Sequence, residues 1–379
     1  MNEKTSALYS EYIIDGLRQE LTPARMLDSC LASAPVCTES SAGYEPVVDE
    51  TIDPALKPCV TDPSKVEEYW RAIKAQDVKV FPTAFPETYA KTHIAFSLID
   101  AIWRDGHFRL DDLALGLGWK WNQKEIGSMT AFYASVAAAV DYIDLLGLRI
   151  ADYSFERTEG ESCIGVSAVL APQKGGDGED DFFGELPFRT EHPKMGGGAC
   201  KPAVLQKDEQ SWLIYIPFEN SVYRLGASRL AQVLGVQGAV APQILDPDYF
   251  IDCYEVVREL VEDGIVLAGA TVGEGGLYTA LKGMAADGCG ICAELADLAR
   301  AAGEGDIVRL LFSEIPGVLV QIADSDYDYV DAELLLQDVA FYPLGHPREG
   351  GVEAVISENS GVRRILESLI SSRSSEGED

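Results

Sequence analysis

Residues 266–295 read VLAGATVGEGGLYTALKGMAADGCGICAEL. The apolar residues 266–268 predict a short buried strand. GATVGEGG (269–276) predicts a tight turn, and the spacing over 277–286 predicts a helix. Glycines at such a junction let the chain turn sharply and let backbone N–H groups approach an anion at the helix N-terminus. The spacing is not G-x-G-x-x-G, and the loop holds no Lys or Arg to neutralise a phosphate. Phosphate binding and plain close packing of strand on helix both remain open on spacing alone.

The preceding residues supply WLIYIPF (212–218) as a strand and ASRLAQVLG (227–235) as the start of a helix. Residues 249–263 have helical spacing, 318–322 form a strand, and a last short strand falls near Val339. Alternating strands and helices predict an α/β or α+β lobe. Upstream, VKVF (78–81) reads as a short strand, HIAFSLIDAIWR (93–104) as a buried helix and 113–121 as a strand bearing Gly and Trp. A long helix spans 125–146 and stops at Gly147, and IGVSAVL (164–170) is a strand. Residues 173–207 are rich in Gly, Asp and Pro and break the periodic pattern. An amphipathic helix is expected over 8–20, with Tyr9, Tyr12, Ile13, Ile14 and Leu17 on one side. The expected division is an appendage at 1–43, an N-terminal lobe at 44–172, a connection at 173–207, a C-terminal lobe at 208–348 and a polar tail at 349–379.

The 379 residues carry 30 Lys and Arg against 62 Asp and Glu, a net charge of −32. A surface this acidic repels nucleic-acid phosphate and anionic lipid, so neither nucleic acid nor membrane is an expected partner. The opening residues lack the apolar centre of a signal peptide, and no apolar run approaches the roughly 18 residues that span a bilayer. A soluble, cytoplasmic protein is expected. Cys289 and Cys292 form a lone CxxC with no second pair and no histidine nearby, a pattern that fits two small core thiols better than zinc. His93, His107, His192 and His346 show no metal spacing, and neither G-x-S-x-G nor HExxH occurs. No catalytic residue and no metal ligand is assigned.

The quoted stretch, with LFSEIPGVLVQIADSD (311–326) after it, resembles the second synthase half of formylglycinamidine ribonucleotide (FGAM) synthase, an ATP-dependent amidotransferase family of purine synthesis. That family's loop runs H-D-x-[SG]-D/E-G-G-L, followed by E-M-A-x-x-G-x-C-G-I and LF-x-E-x-x-G. Gly275, Gly276, Leu277, Met284, Ala285, Gly288, Cys289, Gly290, Ile291, Leu311, Phe312, Glu314 and Gly317 match in order. NSVYRLGASRLAQVLG (220–235) resembles the family's N-x-x-L-G-x-[ST]-x-L-A-Q-V, and the likeness covers roughly 44–347. It implies a two-lobe aminoimidazole ribonucleotide synthetase-like fold, mixed α/β (α+β). The N-terminal sheet of that fold pairs with a second copy. A homodimer or a first-half-like partner is therefore expected, with the contact formed around Trp119 and Trp121.

The departures carry the functional expectation. The resemblance implies a nucleotide–magnesium site, which needs carboxylates and amides because a hard cation takes oxygen ligands. The family's His-Asp pair falls on Ala270 and Thr271, and its helical Glu and Asn fall on Ser97 and Ala101. A further Asp falls near Pro58–Cys59, and G-K-D-S is replaced by ADYSF (151–155). What remains is a nucleotide-site remnant of Thr271, Gly273, Glu274, Gly275 and Gly276. The reading is a synthase-like protein with a degenerate site, no cofactor, and a structural or regulatory role. The competing reading is an active ATP-dependent ligase that uses ATP and magnesium, with ligands relocated among Asp100, Asp105, Asp111, Asp112, Glu274 and Glu314.

Overall fold

A computed structural model describes residues 7–32, 57, 59–76, 80–125, 127–171, 199–286 and 288–357. The first strands of the described residues form a hairpin, β1 (Ile13–Ile14) and β2 (Leu17–Arg18), and α1 (Pro23–Ser29) follows. This replaces the helix expected over 8–20. Asp15 and Gly16 both adopt positive φ, 52° and 75°, the geometry of a tight hairpin turn that an Asp-Gly pair favours. Tyr12 and Leu27 are buried in the main core, and Ala32 N donates to Ile150 O. Residues 7–32 are therefore built into the fold.

The next elements are α2 (Val66–Ala75), α3 (Pro86–Ile102), β3 (Leu113–Trp121), α4 (Ser128–Leu145), β4 (Arg149–Arg157) and β5 (Cys163–Leu170). The strand expected at 78–81 lies largely outside the described residues. Pro86 opens α3, where a missing N–H costs nothing. Just beyond the end of α4, after its C-cap Leu146, Gly147 turns the chain with a φ of 70° that favours glycine. β3 is the middle of a three-stranded sheet, parallel to β4 (Trp119↔Phe155) and antiparallel to β5 (Trp119↔Ile164). Its odd-numbered side chains face α4. Trp119 Nε1 donates to Ser135 Oγ and Trp121 Nε1 to the Ser128 carbonyl, at 3.1 and 2.9 Å. Both tryptophans are buried by their own chain, so the contact surface expected around them is corrected: they are core. The opposite face of β3 carries Gly116 and Gly118, and a Cβ at Gly116 would lie 2.8 Å from Asp152 Oδ1.

The C-terminal elements are β6 (Trp212–Pro217), α5 (Arg229–Val233), α6 (Pro247–Glu262), β7 (Val266–Val272), α7 (Gly276–Met284), β8 (Cys289–Glu294), α8 (Ala296–Ala302), α9 (Ile307–Phe312), β9 (Gly317–Ile322), α10 (Tyr327–Leu336), β10 (Tyr342–Gly345), β11 (Pro347–Glu349) and β12 (Val352–Val355). Strands β10-β6-β9-β7 form an antiparallel sheet, and β11-β8-β12 form a mixed one, with β11 antiparallel and β12 parallel to β8. The fold is mixed α/β. β7 runs four residues beyond the expected 266–268, because Gly269–Val272 stay paired with β9. The strand expected near Val339 starts at Tyr342, and Val339 itself is a buried loop residue.

One core cluster joins α3, α4 and β3 to β6, β9 and α6, so the N-terminal elements sit on one face of the four-stranded sheet. α2 belongs to the other cluster, with Ile73 packed among C-terminal residues. Lys282 pairs with Glu67 at 3.0 Å and lies over the Trp70 ring, and Arg229 Nη2 donates to Gln76 O at 2.6 Å.

Candidate functional site

Where α3 meets the glycine turn, an open cleft of about 560 Å³ lies between α3, β5, the end of β7 and the first turns of α7. α3 contributes His93, Ser97 and Asp100, at i, i+4 and i+7 on one helical face. β7 contributes Ala270 and Thr271, the turn contributes Gly273 and Glu274, and Ile164 and Val166 form the apolar wall. Among the described residues that line the cleft there is no Lys or Arg.

The polar side chains are largely committed to one another. Thr271 Oγ1 accepts from Trp103 Nε1 at 3.0 Å and donates to Asp100 Oδ1 at 2.5 Å. Trp103 reaches Thr271 because Gly269 has no side chain: a Cβ there would sit 2.3 Å from the indole ring. Ser97 Oγ accepts from Ala168 N of β5 at 2.8 Å, which satisfies a strand-edge amide. Ala101 is fully buried. Asp100 is exposed at the cleft mouth, yet the adjoining walls desolvate it enough to raise its pKa above the ordinary range. The Thr271 hydrogen bond and the Arg104 charge act in the opposite direction.

Beneath the cleft, Glu314 holds the turn. Its Oε1 accepts from Gly275 N and from Arg229 N, each at 2.7 Å, and so ties together the N-termini of α7 and α5. Burial pushes the Glu314 carboxyl up to about 7 despite both donors, and the nearby Glu274 charge pushes it further in the same direction. Glu274 Oε1 lies 3.3 Å from His93 Nε2, while His93 Nδ1 lies 2.9 Å from the Tyr89 carbonyl.

The residues expected at the site are thus divided. Thr271, Gly273 and Glu274 line the cleft with Asp100. Gly275 and Gly276 are buried below it, with φ of 81° and 69°. A Cβ at Gly276 would meet Leu311 O at 2.7 Å and Phe312 Cα at 2.9 Å, so this glycine serves close approach of α7 to α9. Asp112 is used locally, accepting from Arg109 N. Neither it nor Asp105 nor Asp111 lines the cleft. His93 and Trp103 are the residues that sequence reasoning left unassigned at the site. The 93-97-100 spacing was a usable signal for the first, and nothing local marked the second. Pro58 lies outside the described residues, and Ala151–Phe155 are part of β4. Cys289 and Cys292 stand three apart on β8 and so point to opposite faces, which is unsuited to shared metal ligation. Among the described residues no group of three His, Cys, Asp or Glu side chains is placed to hold a metal ion, and no helix is long and apolar enough to cross a membrane.

Residues 224–362 match the family described as "AIR synthase related protein, C-terminal domain". The chain is 23% identical over 279 residues to the Homo sapiens phosphoribosylformylglycinamidine synthase, covering 73% of this chain and 19% of that protein. It is 32% identical over 262 residues to the probable chloroplastic/mitochondrial phosphoribosylformylglycinamidine synthase of Arabidopsis thaliana, covering 69% of this chain and 17% of that one. The chain therefore spans less than a fifth of the length of these relatives. Among solved structures, T. maritima PurL complexed with FGAR is similar over 72% of this chain and 41% of that chain, with a TM-score of 0.50 and 12% identity. At that identity the likeness speaks to the fold.

Proposed function

The chain belongs to the AIR synthase-related superfamily, and from that premise we propose that it is an FGAM synthase-like protein of purine biosynthesis whose nucleotide–magnesium cleft is degenerate and whose role is structural or regulatory. One observation carries the reading: Thr271 and Ser97 stand where the resemblance implies metal-binding oxygens, and both hydroxyls are engaged within the protein, Thr271 with Trp103 and Asp100 and Ser97 with Ala168. A neutral hydroxyl lacks the charge a carboxylate would set against a divalent cation, and Thr271 Oγ1 already has one lone pair taken by Trp103 Nε1. A triphosphate brings about four negative charges to a cleft whose described lining offers Asp100, Glu274 and no Lys or Arg. The residues present do not fit magnesium triphosphate, and no catalytic step is assigned to them.

The second reading, an active ligase, is favoured by the two carboxylates Asp100 and Glu274 on opposite sides of the cleft. The assay that separates the readings supplies the purified chain with formylglycinamide ribonucleotide, ammonia, ATP and magnesium. The degenerate-site reading predicts no ADP release above the protein-free control. Turnover that depends on all four components would establish the ligase instead. By the same family likeness, association with a first-half-like synthase partner or a second copy belongs to this proposal.

A further inference from the structure

Helix α10 is apolar on two opposite sides. Val330 and Leu334 are fully buried against the core, while Tyr329, Leu335 and Leu336 are 45%, 72% and 77% exposed. Tyr329, Ala332 and Leu336 follow i, i+3, i+7 spacing and so form one outward stripe, with Leu335 beside it. One apolar side is enough to seat a helix on the core, so the second is not explained by packing within the chain. Isolated surface leucines are ordinary, but adjacent leucines continuous with a tyrosine along one face mark a contact surface.

Among the described residues, the helix itself and the turns at its two ends carry acidic charge alone. Residues 324–338 contain Asp324, Asp326, Asp328, Asp331, Glu333 and Asp338 and no Lys, Arg or His. α6 adds Glu259 and Asp263 on the side of Tyr329. Arg258 of α6, only 3% exposed, pairs with Glu259 at 3.1 Å, so Asp263 is that helix's main contribution to the rim.

We propose that the outer face of α10 is the docking surface for a different protein, one whose contact face has an apolar centre ringed by lysine or arginine. The leucine stripe supplies apolar burial, and the acidic rim steers a basic partner and sets its orientation. A second copy is the wrong occupant, because it would bring the same acidic rim, on a chain of net charge −32, against itself. α10 packs on α6, and α6 packs on α3, so this surface is separate from the cleft and the inference stands whether or not the cleft binds nucleotide.

The test uses the full-length chain and a fluorescein-labelled 18-residue helix-forming peptide with leucine on one face and lysine on the other. Saturable binding is expected, falling with salt, together with slowed hydrogen exchange at the α10 amides. Leu335→Ser with Leu336→Ser leaves the charge unchanged and should weaken binding tenfold or more without lowering the melting temperature. Asp331→Lys should weaken it as well, and a peptide with glutamate in place of lysine should not bind. Equal binding by the leucine variant, or protection elsewhere on the chain, would overturn the proposal. So would an α10 face already shielded in the free protein, whether by a second copy (shielding that fades on dilution) or by residues 358–379 (shielding that does not).

Discussion

The hydroxyl of Thr271 donates to Asp100 Oδ1 across the mouth of the cleft, a link 171 residues apart in sequence between β7 and α3. Trp103 Nε1 donates to the same hydroxyl, so this one oxygen fastens the N-terminal helix to the C-terminal sheet. Thr271→Val keeps the shape and removes both bonds, leaving an indole N–H and a carboxylate without their partner. A loss of about 1–3 kcal/mol in urea-denaturation stability is expected. Unchanged stability would mean that the link contributes nothing to the join.

Gly276→Val places a β-branched side chain at φ 69° and drives its Cβ into the backbone of Leu311 and Phe312. Backbone strain and overpacking each cost about 1–3 kcal/mol, so a combined loss of about 2–6 kcal/mol is expected. Gly273→Ala is the control: its Cβ would meet the Phe96 ring at an ordinary 3.6 Å, and little change in melting temperature should follow.

Glu314 makes stability depend on pH. Its carboxyl titrates near 7 in the fold against an ordinary 4.5, so between those values the folded state keeps a proton that the unfolded chain has lost. Its contribution is full below about pH 4.5 and is lost as pH rises through 7, by an amount on the order of 3 kcal/mol. Glu314→Gln keeps an oxygen to accept from Gly275 and Arg229 but does not ionise. Relative to the natural protein it should be equally stable near pH 5 and more stable at pH 8. Parallel stability curves for the two proteins between pH 5 and 8 would contradict this account.

Trp119 is held by its own chain, against Phe132 and Ser135 of α4. Trp119→Ala should cost about 3–5 kcal/mol through the cavity it leaves, with no change in the mass seen by sedimentation. A variant that keeps its stability but changes its association state would return Trp119 to an interface.

Much of the fold was legible because its signals are local. β3 was read at its observed ends from nine residues alternating around Trp119 and Trp121. α4 and Gly147, and the helix opened by Gly276, follow from periodicity and glycine placement. The hairpin at Ile13–Arg18 was read as a helix because five apolar residues masked the Asp-Gly turn between them. α2 gave no sign that it would cross to Lys282 and Tyr278, since only tertiary contacts decide that. At the site, the departures at Thr271, Ser97 and Ala101 were visible in the chain. Their consequences were not: that Trp103 would fill the space over Gly269, or that Ala168 would claim the Ser97 hydroxyl, depends on elements distant in sequence.

Thermal unfolding of the purified chain with and without millimolar Mg-ATP asks whether the cleft takes magnesium triphosphate. A working site held at a hundredfold over its dissociation constant would add about 2.7 kcal/mol of stability. A degenerate cleft leaves the melting temperature unchanged with Mg-ATP and unchanged again when a chelator is added. A rise of several degrees that disappears with the chelator would contradict it and identify the cleft as a functional nucleotide site.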